Sequence, residues 1–346
     1  MTEASIRAAF DQQRLWSQKL GTPFMERVFT VLGRDLDRST VVGARVLDWP
    51  GEPIADALVL RLAGGLHALV RAGKLPALAA LYPPNPMPGE AELGAELAAA
   101  LAHPELAAWL ESAPQTNEVG RSAVLMAGLR VVAAETGLPL AVFELGASAG
   151  LNLRLDAYAY DLGGDEFGLA GAPLRLVPKW EGAPPPEAEV SIVERRGVDL
   201  NPLDVTSLAD QARMLAYVWP DQPERLKSMA TAIAAAAADP PPLDRGDAAA
   251  WVEARIAPVE GRATVVMHSI AFQYFPPDTQ ARITAHMAAQ GALATASAPL
   301  AWLRYELDVS AGSGSPPTLR LLSWPGGEDR HLAYAHPHGA SVRWLL

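Results

Sequence analysis

The chain has 346 residues, half of them hydrophobic and about a fifth charged, with a formal net charge of −11 at pH 7. This composition is ordinary for a globular protein. The excess of acidic residues argues against nucleic acid as the main partner, because binding to a phosphate backbone draws on clustered Lys and Arg. The chain has no cysteine, which excludes disulfides, thiolate metal sites and a cysteine nucleophile.

The chain also lacks the apolar segments that target or anchor a protein. Residues 1–14 have no apolar core of the signal-peptide type. No stretch reaches the ~18 consecutive apolar residues of a membrane-spanning helix, and the alanine-rich run at 232–238 is short. We therefore expect a cytoplasmic protein without a membrane partner. The sequence makes no prediction of its oligomeric state.

Residues 1–112 carry helical patterns and no convincing strand. Apolar residues recur there at helical spacing, as in Phe24, Val28, Val31 and Leu32, and again in the leucines at 58, 62, 66 and 69. A proline-rich break at 83–89 separates helical hairpins. We predict an all-α amino-terminal region that serves as a lid or substrate wall for the domain that follows.

Residues 138–155 have the most informative local pattern. A short apolar run at 140–145 predicts a buried strand, residues 146–150 form a turn of small residues, and a helix-compatible pattern resumes at Leu151. A strand, a glycine turn and a helix in this order leave backbone N–H groups at the helix start available for a ligand.

This turn has three interpretations. As G-x-S-x-G it is a nucleophile elbow that exposes Ser148 in an α/β-hydrolase. As E-x-G-x-x-x-G-x-N it is a nucleotide-binding turn, with Glu144 at the strand end, Gly146 and Gly150 admitting a ligand, and Asn152 closing the pattern. It can also be a tight turn whose small residues serve packing alone.

A strong helix is predicted at 119–135, just before the buried strand, and Gly137 ends it. Asn117, Glu118 and Arg121 at its start permit two readings. They face the glycine turn across a cleft and bind substrate, or Asn117 or Thr116 caps a solvated first turn. Spacing alone favours the second reading.

Further strand ends downstream carry polar residues. After an inserted hairpin at about 158–190, a strand at 190–198 ends at Asp199, and a short strand ends near Asp247. A second buried strand, at 264–267, runs into His268 and Ser269. Residues just past the carboxyl ends of parallel strands line the ligand crevice of open α/β sheets. We expect His268 to be a base or substrate contact, or a histidine held by local hydrogen bonds.

The remaining segments complete the predicted fold. A strand at 299–307 precedes a closing hairpin at 318–335. The whole is a Rossmann-like, doubly wound, mostly parallel seven-stranded sheet with an antiparallel carboxyl-terminal hairpin. His336 and His338 have no third ligand nearby in the sequence, so no metal is predicted, and His67 and His103 are interpreted as surface or packing residues.

The hydrolase reading fits this order of elements poorly. A nucleophile elbow normally follows several strands and a glycine-rich oxyanion loop, whereas this turn follows helices and lies on the first strand. The order Ser148, then Asp199 or Asp247, then His268 matches a hydrolase triad, but it arises easily by chance in a chain of this length.

The segments VFELGASAGLN, GVDLNP, RGDA and VVMHSI resemble, in that order, the four strand-end motifs of class I S-adenosylmethionine-dependent methyltransferases. Ser148 stands where the usual first motif has its central glycine. Together, QTNEVGRSA, ELGASAGLNL, GVDLNP, VVMHSI and AHPHG resemble a bacterial family of unknown function assigned to that superfamily. The methyltransferase resemblance covers about residues 113–346.

The resemblance implies S-adenosylmethionine as cofactor and a role for each motif residue. Gly146, Ser148 and Gly150 would line its methionine and ribose side, Asp199 would hold the ribose diol, and Asp247 would approach the adenine amino group. Glu144 would orient the turn and Asn152 belongs to the same motif. Asn117, Glu118, Arg121 and Ser269 would contact a small-molecule substrate, with His268 as base. The alternatives are a non-catalytic ligand-binding protein of this fold and, more distantly, a hydrolase using Ser148.

Overall fold

The computed structural model describes residues 2–307 and 315–346. The α-helices in these residues are α1 (Glu3–Leu20), α2 (Pro23–Asp35), α3 (Val41–Leu47), α4 (Leu58–Arg71), α5 (Pro76–Ala79), α6 (Glu90–Ala100), α7 (Leu106–Trp109), α8 (Arg121–Thr136), α9 (Leu208–Ala216), α10 (Pro223–Ala238), α11 (Ala248–Arg255) and α12 (Pro277–Gly291). No helix among them is long and apolar enough to cross a membrane.

The strands in the same residues are β1 (Leu140–Leu145), β2 (Ala159–Leu162), β3 (Asp165–Gly168), β4 (Arg175–Leu176), β5 (Lys179–Glu181), β6 (Ile192–Asp199), β7 (Leu243–Arg245), β8 (Ala263–Ser269), β9 (Leu300–Glu306), β10 (Thr318–Trp324), β11 (Glu328–Ala335) and β12 (Ser341–Trp344). The chain divides into two compact units. One comprises residues 1–116 and 207–230, and the other residues 117–206 and 231–346.

The first unit is helical: residues 2–116 contain α1 to α7 and no strand. The two predicted apolar faces are buried in its core, with Leu62 fully inaccessible at the centre of α4. Residues 207–230, which contain α9 and the start of α10, also belong to this unit, although they follow β6 in the chain. No local sequence pattern marks this return, because helix periodicity specifies a buried face and not the partner that covers it.

The second unit is built on a nine-stranded sheet of order β5-β12-β11-β10-β9-β8-β1-β6-β7. Neighbouring strands are parallel from β7 through β6, β1 and β8 to β9. Strands β9 to β12 pair antiparallel, and β5 at the edge is parallel to β12. The predicted mixed α/β sheet with an antiparallel end is therefore present. It has nine strands and not the seven predicted, because β12 and β5 pair with each other across 162 residues (Ser341 with Lys179) and are only four and three residues long.

Most of the segment predicted as an inserted hairpin forms a small separate sheet of order β3-β2-β4, whereas its β5 belongs to the main sheet. The helix predicted after the glycine turn is present as a 3-10 helix, Leu151–Ala157. It leads directly into β2. On one face of the main sheet, α11 and α12 cover a core that includes Phe143, Val266, Trp302 and Ile283.

Candidate functional site

The strand order reverses at β1, which lies between β6 and β8 at the centre of the sheet. In one direction the chain proceeds outward through β6 and β7, and in the other through β8 and β9. Such a reversal opens a crevice outside the carboxyl ends of the strands, where ligands bind in open α/β sheets. The glycine turn follows β1 at this point.

The turn is held in a left-handed conformation at alternate positions, with φ of +67° at Gly146, +52° at Ser148 and +71° at Gly150. A Cβ on Gly146 would lie 2.7 Å from the Ala271 Cβ, and one on Gly150 would lie 2.6 Å from the Pro241 Cγ. Both glycines are therefore required by the backbone conformation and by packing against protein. Ser148 accepts the same conformation with a side chain, which costs backbone strain.

Asp199 links the end of β6 to this turn. Its Oδ2 accepts a hydrogen bond from the Ser148 N–H at 2.9 Å, and its Oδ1 accepts one from the Asn201 N–H at 2.8 Å. A carboxylate oxygen has more than one lone pair, so each oxygen retains capacity to accept from a ligand hydroxyl. Asp199 thus fixes the turn and remains available to a diol.

Three buried polar atoms near the turn have no hydrogen-bond partner in the described residues: Glu144 Oε2, Ser148 Oγ and Asn152 Nδ2. Their residues are at most 6% exposed. Burial raises the pKa of Glu144 to about 8. The Asn152 side chain, which lies close to the Glu144 carboxyl without forming a hydrogen bond of good geometry, opposes that rise together with Arg121, and Asp199 adds to it. Unsatisfied buried polar groups are uncommon in native proteins. Their presence together marks a place where a polar ligand or ordered water completes the bonding.

Residues just before α8 and at its first position also contribute to this part of the structure. The Asn117 Oδ1 accepts a hydrogen bond from the Leu151 N–H at 2.8 Å, so Asn117 caps the 3-10 helix after the glycine turn. The predicted capping of α8 by Asn117 or Thr116 is wrong, because α8 begins after Gly120 and has no side-chain cap. The first turn is not solvated either, since Asn117, Glu118 and Arg121 are all buried.

Arg121 connects the start of α8 to the end of β8 and to the turn that contains Pro337. Its guanidinium donates to the Ser269 carbonyl and to the Pro337 carbonyl, each at 2.9 Å. The structure therefore brings Arg121 to the backbone of Ser269 at the end of β8. Glu118 accepts a hydrogen bond from the Gly120 N–H at 3.2 Å.

A small cleft opens beside Gly146 at the ends of β6 and β7. Asp199 and Asp247 line it together with apolar groups that include Leu200, Ala248 and Phe275. Asp247 is exposed and caps α11 by accepting from the Ala250 N–H at 2.9 Å. The enclosed space is about 100 Å³, below the ~300 Å³ typical of small-molecule sites.

His268 is not among the residues that line this cleft. Phe143 is in register with Val266 and Leu145 with Val198, and side chains alternate along a strand, so His268 is on the same face of the sheet as the cleft-lining Val198. His268 is 1% exposed and stacks on Phe272, with ring centroids 4.8 Å apart. The predicted base therefore does not line the cleft in this structure.

Glu306 is the partner of His268, which the sequence did not indicate. Its Oε1 lies 2.6 Å from the His268 Nδ1 and also accepts from the N–H groups of Ala271 and Phe272 at 3.0 and 3.1 Å. Burial by itself would raise the pKa of Glu306, but the His268 contact and the two backbone donors outweigh it and leave that pKa lowered. The pair holds the loop after β8, which supports the local hydrogen-bond interpretation of His268.

No serine triad is assembled in the described residues. The Ser148 Oγ and the His268 Nε2 each lack a hydrogen-bond partner, so they are not bonded to each other, and the acid beside His268 is Glu306. His336 accepts from the His338 N–H at 3.1 Å. Residues 2–307 and 315–346 contain no group of three or more His, Asp or Glu side chains able to hold a metal ion.

One other contact was not predicted from the sequence. Ser122 donates to the Asn152 Oδ1 at 2.8 Å, which leaves the Asn152 amide nitrogen without a partner. Glu306 ends a strand at the carboxyl edge, as Asp199 does, and that position was the one available signal for it.

No curated protein and no solved structure matches the chain. Residues 7–344 match a family described as an uncharacterized protein conserved in bacteria, DUF2332. The match covers nearly the whole chain, so both compact units fall within it. The predicted likeness to a bacterial family of unknown function is confirmed at this level. The chain belongs to the DUF2332 family.

Proposed function

We propose that this protein is an S-adenosylmethionine-dependent methyltransferase acting on a small molecule. The observation that carries the proposal is the set of unsatisfied buried polar atoms at the reversal point of the sheet, next to a cleft lined by two carboxylates. A nucleoside without phosphate groups is bound through hydrogen-bond acceptors, such as these two carboxylates, and apolar walls more than through cationic side chains. The motif resemblance of the same residues supports this choice of ligand.

The donor and acceptor groups fit the cofactor. Asp199 would accept hydrogen bonds from the ribose diol, Asp247 would accept one from the adenine amino group, and Leu200, Ala248 and Phe275 would flank the ring. The enclosed space of about 100 Å³ is too small for a nucleoside. We therefore infer that Phe275 and its loop move outward when the cofactor binds.

The unsatisfied atoms of Glu144, Ser148 and Asn152 would hold the methionine portion. When bound, the cofactor supplies a methyl group that is already activated by its sulfonium. This chain would then align the acceptor and exclude water, which together account for much of the rate in such reactions. Arg121 and Ser269, with Asn117 and Glu118, would form the wall on the substrate side.

His268 remains the proposed base for acceptors that lose a proton. Glu306 holds its Nδ1, and its Nε2 is the nitrogen without a partner. Phe272 covers the ring, so this role also requires movement of the loop after β8. The non-catalytic alternative is favoured by the closed cleft, and the hydrolase alternative by the strained conformation of Ser148.

Binding of S-adenosylhomocysteine tests the proposal. At ~100-fold excess over its Kd it should stabilise the protein by about 2.7 kcal/mol in a thermal unfolding assay. Asp199→Ala should weaken binding in calorimetry by about tenfold to a hundredfold, because hydrogen bonds to a charged group contribute ~1.5–3 kcal/mol. Glu260→Gln, an exposed change away from the cleft, is the matched control. Absence of any shift with either cofactor form at millimolar concentration would refute the proposal.

A further inference from the structure

A second and larger cavity lies in the same compact unit, away from the glycine turn. Its volume is about 660 Å³, within the range of small-molecule sites. Val190, next to the amino-terminal end of β6, lines it, whereas the cleft beside Gly146 lies at the carboxyl end of that strand. The two spaces share no lining residue. This cavity is therefore separate from the cleft beside Gly146.

Arg130 of α8 is the one cationic side chain among the residues that line the cavity. Its side chain is 4% exposed and pairs through one terminal nitrogen with Asp165. Its guanidinium also lies over the Phe167 ring, 4.1 Å from the centroid, and Tyr160 stacks on Phe167 at 5.3 Å. A carboxylate and a ring face thus already neutralise its charge. The Nε of Arg130, however, has no hydrogen-bond partner in the described residues.

Carboxylates outnumber cations around the cavity. Besides Asp165, the lining includes Asp156, which is held by both terminal nitrogens of Arg195, and the exposed Glu187 and Glu189. No hydrogen bond or ion pair joins either of these two glutamates to another described residue. Two exposed carboxylates in the lining, without a cationic partner, attract a cation and repel an anion.

The wall between these polar ends is apolar, with Met126, Leu169 and Val190 among its residues. A ligand that satisfies all three features has an ammonium group for Glu187 and Glu189, a carbon body for the wall, and an oxygen that accepts from the Arg130 Nε. We propose that this cavity binds an organic ammonium compound that also carries an oxygen acceptor. The inference does not depend on the methyltransferase proposal.

Calorimetry with three matched probes on the full chain tests the inference. Tyramine has the ammonium, the ring and the oxygen, phenethylamine lacks the oxygen, and 3-(4-hydroxyphenyl)propionate replaces the ammonium by a carboxylate. Tyramine should bind about tenfold or more tighter than the propionate, and tighter than phenethylamine. Equal or tighter binding of the propionate, or no binding of any probe at 10 mM, would overturn the inference.

Two variants locate the binding groups. Glu187→Gln with Glu189→Gln, both at exposed positions, should weaken tyramine binding by about three- to tenfold and reduce its dependence on salt. Arg130→Lys should bring tyramine and phenethylamine to similar affinity, because it removes the Nε–H and keeps the charge. Glu181→Gln, exposed on β5 and outside the cavity, is the control. Unchanged affinity in the double variant of the glutamates would contradict the assignment.

Discussion

The two compact units differ in what they bury. In the helical unit the buried polar side chains are few, namely Ser17, Thr22 and His67 among the described residues. His67 contacts the Ala216 carbonyl through Nδ1 at 3.1 Å, and burial lowers its pKa to about 4, so it is neutral and partnered at pH 7. The packing interpretation of His67 is therefore supported by its contacts.

The sheet unit buries titratable side chains and leaves some of their polar atoms unsatisfied. Glu144, Arg121 and His268 are all nearly inaccessible, and Glu144 and His268 each retain an atom without a partner. Unpaired buried polar atoms cost free energy that folding alone does not repay. Among the described residues the helical unit also contains three such atoms, Arg213 Nε, Tyr217 Oη and Asp221 Oδ1, so the two units differ in where these atoms lie. In the sheet unit those of Glu144, Ser148 and Asn152 gather around the glycine turn.

The largest expected effect is a loss of stability when the core of the helical unit is changed. Leu62→Ala removes a fully buried side chain from the centre of α4 and should lower the free energy of unfolding by about 2–5 kcal/mol. Denaturant unfolding measures the change. Leu15→Ala on the same unit, where the side chain is 48% exposed, should change stability by less than about 0.5 kcal/mol. Similar losses for the two variants would show that this unit is not a packed core.

Glu144 provides the sharpest contrast with that core. Its pKa is about 8 in the folded protein and 4.5 is its ordinary value, so between these pH values the folded state binds more protons than the unfolded state. Stability therefore falls as the pH rises through this window. Glu144→Gln should remove that fall and be more stable than the parent by a few kcal/mol at pH 8, with little gain near pH 4.5. Parallel stability profiles would show that Glu144 is ionised in the fold.

Asp221 tests a smaller, polar contribution within the helical unit. It accepts hydrogen bonds from the Phe24 and Met25 N–H groups at 2.6 and 3.3 Å, at the start of α2, where Thr22 makes no side-chain cap. Asp221→Ala should cost about 0.5–2 kcal/mol of unfolding free energy, as loss of a helix cap does. Asp221→Asn retains an acceptor and should recover most of the loss. An alanine variant as stable as the parent would exclude the capping role.

The smallest expected effect distinguishes the chemistries at the turn. Ser148→Ala removes a hydroxyl and keeps the backbone, so affinity for S-adenosylhomocysteine should change by less than about tenfold. An activated serine would also react with a fluorophosphonate, which mass spectrometry detects. We expect no labelling in the parent protein, because Ser148 has no bonded histidine. Covalent labelling at Ser148 would replace the methyltransferase proposal by the hydrolase one.

The sequence alone was sufficient for the elements with strong periodicity. The buried strands β1 and β8 were predicted from continuous apolar runs, and the buried faces of α2 and α4 from the helical period of their apolar residues. The glycine turn was predicted for the same kind of reason. Positive φ at Gly146 and Gly150 favours residues without a Cβ, and the glycines at these positions can be read directly from the sequence.

Only the tertiary structure decided which distant groups meet. Glu306 was brought to His268 by the pairing of β9 with β8, Asn117 was placed on the Leu151 N–H rather than on its own helix, and Asp221 reached the start of α2 from 197 residues away. In each case the fold brings together a hydrogen-bond donor and an acceptor that are distant in the sequence. Neither spacing nor periodicity encodes that choice, because the free energy of such a contact depends on burial and geometry that exist only after the elements have packed.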